Sequence, residues 1–311
     1  MNAWSRLTDR LSTTEPATAL AVVRILVGLV LLWDLVDIGL SGALGALWMP
    51  RSAGGMYVVT ANGPLADLIG TSVATIGPVY GATVTAAVLV VAGLGSRPAA
   101  LVALLGANYL FSLSSVSGGG HDRVFSNTLF LLCFARADMT LSLRCWLTHR
   151  RWHDDTPVPA WPRYLLVYQL ALIYTMTGVQ KLGSVWWPMG GFLAVHYTVM
   201  LPHWARADWW WLAWLSPVTR AATALTWWWE ALWFLVPAWL WLRATPEVGG
   251  RLRALAARFD LRTPFVVTGI LMHGTIWLLL NLGPFSAVTL GLYPALYHPD
   301  ELHRAWKRLR G

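Results

Sequence analysis

A lysine ends the apolar run in YTMTGVQKLGSVWW, residues 174–187, and two tryptophans follow it closely. The amine of Lys181 is a group that acts as a general base once it has lost its proton. An ionisable side chain at the mouth of a membrane span costs free energy and therefore marks a functional site by default. We expect the rings of Trp186 and Trp187 to keep water away from this amine. Snorkelling of Lys181 towards lipid headgroups is the alternative role.

A second group of polar side chains follows three glycines in SGGGHDRVFSN, residues 117–127. His121 and Asp122 stand there, at the predicted outer mouth of a span. Asn281 begins the turn NLGPF, residues 281–285, on the same predicted side. Three separate segments thus bring a titratable or amide group to one depth, as in sites built inside helical bundles. Hydrogen bonding within the loop is the alternative role of His121.

Two charged residues fall inside predicted spans. Arg24 lies about two turns into the first span, and Glu230 lies near the middle of the sixth, in WWWEALW. An isolated carboxylate in hydrocarbon would stay protonated. We therefore expect Arg24 and Glu230 to form a structural ion pair within the membrane. Snorkelling of Arg24 towards the inner membrane surface is the alternative.

Composition identifies the class of protein. Of 311 residues, 56% are hydrophobic and 12% are charged, and the mean hydropathy is +0.52. An ordinary soluble domain has about 25% charged residues. The net charge of +8 comes with no nucleic-acid reader motif, so no nucleic-acid partner is expected. The composition predicts one integral membrane domain, residues 1–311, without a separate soluble domain.

Apolar stretches predict an all-α bundle of about eight transmembrane spans. The spans are Ala17–Leu40, Val79–Leu94, Pro98–Leu113, Val124–Ala137, Trp161–Gln180, Pro217–Leu242, Thr263–Leu282 and Phe285–Tyr297. The Trp-rich stretch Trp204–Trp214 is predicted to form interfacial helices on the outer face. His149 and His153 are four residues apart without a further clustered ligand, so no metal site is predicted.

Charge distribution predicts the orientation. Most of the 23 lysines and arginines fall in alternate loops, which places both termini in the cytoplasm of a cell. Lys181, His121 and Asn281 would then face the extracytoplasmic side of the cell membrane.

The residues around Lys181 and His121 resemble the HTTM family, the transmembrane domain shared with vitamin K-dependent gamma-glutamyl carboxylase. YTMTGVQKL is similar to the family segment that carries the carboxylase's proposed catalytic lysine, which falls on Lys181. GGHDRVFSN is similar to the stretch whose histidine falls on His121. Gly120 stands where the carboxylase has Asn, and Gln180 stands where it has a second lysine. The resemblance runs from about Ala17 to Tyr297.

This resemblance implies an integral membrane enzyme in which a neutral Lys181 deprotonates a naphthohydroquinone, vitamin K- or menaquinol-like. It implies oxygen as the co-reactant that yields an epoxide, and it allows carbon dioxide to carboxylate an unidentified acceptor. The sequence has no counterpart of the lumenal region that captures a protein substrate, so carboxylation of protein glutamate is not expected. His121 would orient the substrate, accept a proton or stabilise an anion.

The implied partners are membrane lipid, a quinone and an unidentified acceptor protein or small molecule, and no metal cofactor is expected. The residues expected to contact the quinone are Asn281, Asp122, Trp186 and Trp187. The alternative function is a non-catalytic membrane scaffold or a lipid- or quinone-binding protein. A transporter is the weaker third hypothesis, because inverted repeats with paired broken helices are not evident.

Overall fold

The computed structural model describes residues 3–56, 63–114 and 117–310. Helices account for 73% of the structure, which confirms the all-α expectation. One short two-stranded antiparallel ladder is the exception within these ranges. Cα packing divides the chain into two compact units, Met1–Leu166 with Ala287–Gly311, and Val167–Ser286.

The first unit is built around four helices: α2 (Thr18–Leu40), α5 (Val73–Ala92), α6 (Ser96–Ser112) and α7 (Gly120–Phe134). They pack in sequence order, with α2 on α5, α5 on α6, and α6 on α7. Some of their apolar side chains, such as those of Leu20, Leu31 and Leu110, are completely or almost completely buried. The elements are α1 Ala3–Leu11, β1 Thr14–Pro16, α2 Thr18–Leu40, α3 Ala43–Trp48, α4 Pro64–Ile69, α5 Val73–Ala92, α6 Ser96–Ser112, α7 Gly120–Phe134, α8 Leu143–His149 and β2 Pro157–Pro159. Short 3-10 turns cover Arg51–Ala53 and Tyr293–Leu296, and the C-terminal helix spans Pro299–Arg310.

The guanidinium of Arg24 holds one end of the first unit together. It is fully buried, and it donates from Nε to Ala137 O (3.2 Å), from Nη1 to Val90 O and to Val91 O (2.6 Å), and from Nη2 to Leu141 O (2.7 Å). The carbonyls of Val90 and Val91 lie at the end of α5, where a helix leaves its last acceptors without intrahelical partners. The carbonyls of Ala137 and Leu141 lie in the loop after α7. Arg24 therefore supplies donors to these buried carbonyls, of which that of Val90 also accepts from Gly93 N at 3.2 Å.

Glycine is required where α5 ends beside Arg24. Gly93 has φ of +67°, a left-handed conformation that ends the helix and that a residue with a Cβ adopts at a cost. A Cβ at Gly93 would also lie 2.9 Å from Arg24 Cζ. The guanidinium can reach the carbonyls because this position lacks a side chain. Arg24 thus has partners within the first unit, and the predicted ion pair with Glu230 is wrong.

A second buried arginine ties the ladder to the helices of the same unit. Strand β1 pairs antiparallel with β2, with Glu15 opposite Val158. The Glu15 carboxylate accepts from Arg163 Nε (2.6 Å) and Nη2 (2.8 Å), and Arg163 Nη1 donates to Ala295 O (3.1 Å). This bidentate geometry is the one that compensates best for burying two charges.

The second unit contains the segment that carries Lys181. Its elements are most of α9 Trp161–Val179, α10 Ala194–Met200, α11 Ser216–Ala231, α12 Leu235–Ala244, α13 Arg251–Arg258, α14 Arg262–Leu279 and the start of α15 Phe285–Leu290. Short 3-10 turns cover Ser184–Trp186, Pro188–Gly190, Trp210–Leu215 and Pro246–Val248. The C-terminal helix Pro299–Arg310, which belongs to the first unit, is called α16.

The predicted sixth span is two helices and not one. Helix α11 ends at Ala231 and α12 begins at Leu235. Pro237 has no N–H for the carbonyl of Trp233, and its ring would clash with that carbonyl in a continuous helix. Val236 N donates to Trp233 O instead, at 3.0 Å. Glu230 therefore lies at the end of a helix, next to a break.

Helix length and surface composition favour a membrane environment. Among the described residues, α2 and α5 are the two helices long and apolar enough to cross a bilayer. Helix α14 also exposes apolar side chains that a water-soluble surface rarely groups together. They are Val267, Ile270, Leu271, Trp277 and Leu278. The total of eight spans stays a prediction, as does the assignment of the whole chain to one integral domain.

The contacts of Arg24 predict a large effect on stability. Arg24→Met would leave its four carbonyls without these donors, and each lost partner of a buried group costs about 1–3 kcal/mol. We expect the free energy of unfolding to fall by about 3 kcal/mol or more, measured by thermal or denaturant unfolding in detergent. The matched control is Arg97→Met, at an exposed position in the first turn of α6. Equal stability of the two variants would contradict the structural role of Arg24.

Candidate functional site

Lys181 stands just beyond the end of α9. The helix ends at Val179, and the chain turns there through hydrogen bonds from Gln180 N to Met176 O (2.9 Å) and from Lys181 N to Gly178 O (3.3 Å). The side chain is only 14% exposed. This burial decides against simple snorkelling, in which the amine would reach into solvent or headgroups.

The amine of Lys181 is hydrogen-bonded and ion-paired with the carboxylate of Glu230. The Glu230 side chain is 9% exposed and lies in the last turn of α11. Both partners are thus largely withdrawn from water. In such a buried environment the interaction of two charges is far stronger than at a protein surface. The structure brings together two residues that the sequence had placed in different roles.

Gly178 allows the two helices to meet. A Cβ at this position would overlap the backbone of α11, with Ala231 Cα and the carbonyl carbon of Glu230 both at 2.8 Å. The backbones therefore approach closely one turn before Lys181. Gly178 contacts the same turn of α11 that carries Glu230. Because Gly178 has no side chain, the two helices lie close enough for the amine of Lys181 to contact the carboxylate.

Aromatic side chains pack together near the contact between α9 and α11. Tyr174, two turns before Lys181 on α9, lies edge-on to Trp229 (ring centroids 4.6 Å apart) and stacks on Trp233 (4.9 Å). Its hydroxyl is 2.7 Å from His273 Nε2 on α14. The indole N–H of Trp229 donates to Phe265 O, also on α14, at 3.1 Å. These contacts fix α9, the end of α11 and α14 against one another.

The two tryptophans after Lys181 both touch it. The amine lies 4.7 Å from the centre of the Trp186 ring, a cation–π geometry. The indole N–H of Trp187 donates to the carbonyl oxygen of Lys181 at 2.9 Å. The ring of Trp187 is 36% exposed, so it forms a partial cover and not a sealed one. The expected neighbours of the lysine are therefore present, and Glu230 is added to them.

His121 and Asp122 form a separate group in the first unit. His121 occupies the first turn of α7 and is buried between the edges of Phe111 and Phe125, with ring centroids 6.1 Å away in each case. Its Nε2 lies 3.2 Å from Asp122 Oδ1. Asp122 Oδ2 accepts from Gly119 N at 2.9 Å, which ties the carboxylate to the start of the helix.

Asn281 stands in the second unit at the end of the α14 segment. Its backbone N–H donates to Trp204 O at 2.7 Å, and its side chain is exposed. Leu280 pairs with Ala205 in an isolated bridge. The Trp-rich stretch thus begins with a turn at Trp204 and the bridge at Ala205, and its helical part is the 3-10 segment Trp210–Leu215. A role for Asn281 in quinone binding stays a prediction.

Sequence reasoning missed Glu230 as the partner of Lys181. A signal was present, because Gly178 and Lys181 are one turn apart and a glycine there permits a close helix. The identity of the facing helix was not encoded in that spacing. Glu230 was assigned to Arg24 because both lay within predicted spans.

Residues 13–253 match the model of the HTTM domain. The chain belongs to the HTTM family. The matched residues include Lys181, Glu230 and His121, whereas Asn281 lies beyond them. HTTM domains are associated with vitamin K-dependent carboxylase-like proteins. No curated protein and no solved structure matches the chain.

The close approach at Gly178 predicts an effect specific to this position of the HTTM domain. Gly178→Ala would push α11 away from α9, since the added Cβ has no room against the backbone of Glu230 and Ala231. We expect a loss of about 1–3 kcal/mol in the free energy of unfolding, measured by thermal unfolding in detergent. Gly274→Ala on α14 is the matched control, because a Cβ at Gly274 meets nothing within 4 Å. Unchanged stability of Gly178→Ala would show that the helices are not in contact there.

Proposed function

We propose that this HTTM protein is an integral membrane enzyme that deprotonates a naphthohydroquinone, vitamin K- or menaquinol-like, for oxygen-dependent epoxidation. The observation that carries the proposal is the place of Lys181, whose buried amine contacts Glu230 and the ring of Trp186. A structural anchor at a span end would be expected to reach headgroups. An amine held away from water next to a proton acceptor is suited to acid–base chemistry.

The residues around Lys181 are of the types that a hydroquinone needs. A phenolic hydroxyl requires an acceptor for its proton, which the Lys181 amine provides. Its fused rings require flat apolar contacts, and Trp186 and Trp187 supply rings at the amine and at the lysine backbone. Oxygen supplies the oxidising power for the epoxide, and carbon dioxide is the further reactant if an acceptor is carboxylated.

His121 is the second proposed group. Its imidazole is buried among Phe111 and Phe125, with Nε2 lying 3.2 Å from Asp122 Oδ1. We assign it the role of a hydrogen-bonding group for a quinone oxygen or an anion, with Asp122 as its orienting partner. The proposed orientation places both termini in the cytoplasm and the lysine on the extracytoplasmic side of the cell membrane.

Epoxide formation tests the role of Lys181. The purified protein in nanodiscs is incubated with reduced menaquinone and oxygen, and the quinone epoxide is measured by chromatography. Lys181→Ala should lower the rate about 10²–10⁴-fold, the usual contribution of a general base. The matched control is Lys307→Ala in α16, because the chain has two lysines and Lys307 is exposed. An inactive wild-type protein, or an Lys181→Ala variant with full activity, would refute the proposal.

The role of His121 is tested in the same assay. His121→Ala should reduce kcat more than about tenfold, because the group that would stabilise developing charge is lost. Asp122→Asn keeps the shape of the side chain and should have a smaller effect, through orientation of the ring. A rate unchanged in both variants would contradict the proposed role of His121.

A second candidate function is supported by a groove in the second unit. The groove has a volume of about 360 Å³ and is lined by Arg206, Gly274, Trp277 and Leu278. Arg206 is held there by bonds from Nε to Trp277 O (3.0 Å) and from Nη2 to Leu280 O (3.4 Å). An apolar groove with a cation at its edge fits a lipid tail and an anionic headgroup. Lipid or quinone binding without turnover in the epoxide assay would favour this function.

A further inference from the structure

A buried lysine in contact with a buried carboxyl group raises the question of where the proton resides. Lys181 is 14% exposed and Glu230 is 9% exposed. Burying two separate charges costs several kcal/mol for each ion, and their attraction offsets this cost only in good geometry. Moving the proton from the amine to the carboxylate removes both charges at once. Two groups in such contact titrate as a pair and not as independent residues.

A base must accept a proton, and an ammonium cannot. If Glu230 were a fixed anion, it would keep Lys181 protonated and oppose its use as a base. If Glu230 can hold the proton of the lysine, the amine is free to accept another one. The contact therefore either blocks the proposed chemistry or makes it possible, and the two cases predict opposite responses to pH.

We propose that the working base is the Lys181–Glu230 pair with one shared proton, in which Glu230 stores the proton that Lys181 gives up. This inference rests on the proposed function for its biological meaning. Its physical content, the shared proton, applies to the protein without any substrate.

The proton step balances within the pair. At rest the proton is on Lys181, as in the ion pair of the structure. In the reactive form this proton has moved to a Glu230 oxygen, and the Lys181 nitrogen has a lone pair. The O–H bond of the hydroquinone breaks, its proton forms a third N–H bond on Lys181, and the bonding electrons stay on the substrate oxygen. The pair gains one positive charge and the substrate one negative charge. The new ammonium then lies beside the anion that it has produced, which stabilises it.

Other titratable side chains are present on the elements packed around the pair. Among them are Tyr174 on α9, His196 on α10, Arg220 on α11 and His273 on α14. Tyr174 and His273 hydrogen-bond each other, His196 Nδ1 lies 3.2 Å from Thr219 Oγ1, and Arg220 Nε donates to Gly191 O. Each of these groups has a partner of its own, while Lys181 and Glu230 pair with each other.

The decisive variant is Glu230→Gln, which keeps the shape and removes the proton store. In the wild type, activity should be lost at low pH only when the carboxylate of the resting ion pair takes up a second proton, which the adjacent ammonium opposes. In Glu230→Gln, the lysine titrates alone and becomes inactive with its first proton. The acidic limb of the profile of kcat/KM against pH should therefore move to higher pH, with about a tenfold loss on that limb for each unit. Glu230→Asp, which retains a carboxyl group, should leave the limb at the wild-type position.

The opposite shift would overturn the proposal. If Glu230 is a fixed anion, its removal makes deprotonation of Lys181 easier, and the acidic limb moves to lower pH with a higher rate at neutrality. An unmoved limb in Glu230→Gln would show that the carboxyl group is not coupled to the base. Melting temperatures of the variants identify any loss of rate that comes from unfolding, because unfolding lowers the rate without moving the limb.

A second measurement needs neither a variant nor a hydroquinone. The rate at which a small acylating reagent modifies each lysine of the wild-type protein is measured against pH by peptide mass spectrometry. Lys307 is exposed and serves as the internal reference. Each rate is scaled to its own plateau, so that lower access to Lys181 does not affect the comparison. Lys181 should begin to react at lower pH than Lys307, because its proton can pass to Glu230.

Onset for Lys181 at the same pH as Lys307, or at higher pH, would refute the shared proton. The labelling result also separates the two proposals. Early onset for Lys181 without epoxide formation would leave the shared proton intact and refute the proposed function. Epoxide formation with late onset for Lys181 would support the proposed function and refute the shared proton.

Discussion

The contact between Lys181 and Glu230 is the constraint on which the second unit depends. A charge buried without a partner is too costly to persist, so each side chain requires the other. The contact forms because α9 and α11 approach closely at Gly178, where any side chain would meet the backbone of α11. Tyr174, bonded to His273 on α14, holds the same helix two turns earlier. The position of the amine is thus determined by packing on several sides.

Arg24 and Lys181 are two largely buried cations that solve the same problem in different ways. Arg24 keeps its charge and spreads it over the carbonyls of Val90, Val91, Ala137 and Leu141. A guanidinium suits this purpose, since its planar fork offers five donors and it does not lose its proton in proteins. Lys181 has a carboxyl group as its partner, and an amine gives up its proton far more readily. The first arrangement supports structure, whereas the second is open to proton transfer.

The break between α11 and α12, next to Glu230, also shapes the site. A continuous sixth helix would have placed the carboxylate within a long apolar cylinder. Pro237 prevents this, and α11 ends at Ala231, one residue after Glu230. The break was readable from the position of the proline, but the surrounding residues are so apolar that hydropathy alone predicted one span. The all-α class and the family, in contrast, were both correct from sequence, because they depend on composition and on local segments such as YTMTGVQKL.

The sequence by itself determined which residues needed partners. Arg24, Glu230 and Lys181 stand in or beside apolar runs, and the cost of burying their charges requires compensation wherever the chain folds. Only the tertiary structure decided the partners, giving backbone carbonyls to Arg24 and the lysine to Glu230. The physical reason is that apolar periodicity specifies a helix and its buried face, while the choice of neighbouring helix depends on shape. In this protein that choice depends on a missing side chain at Gly178.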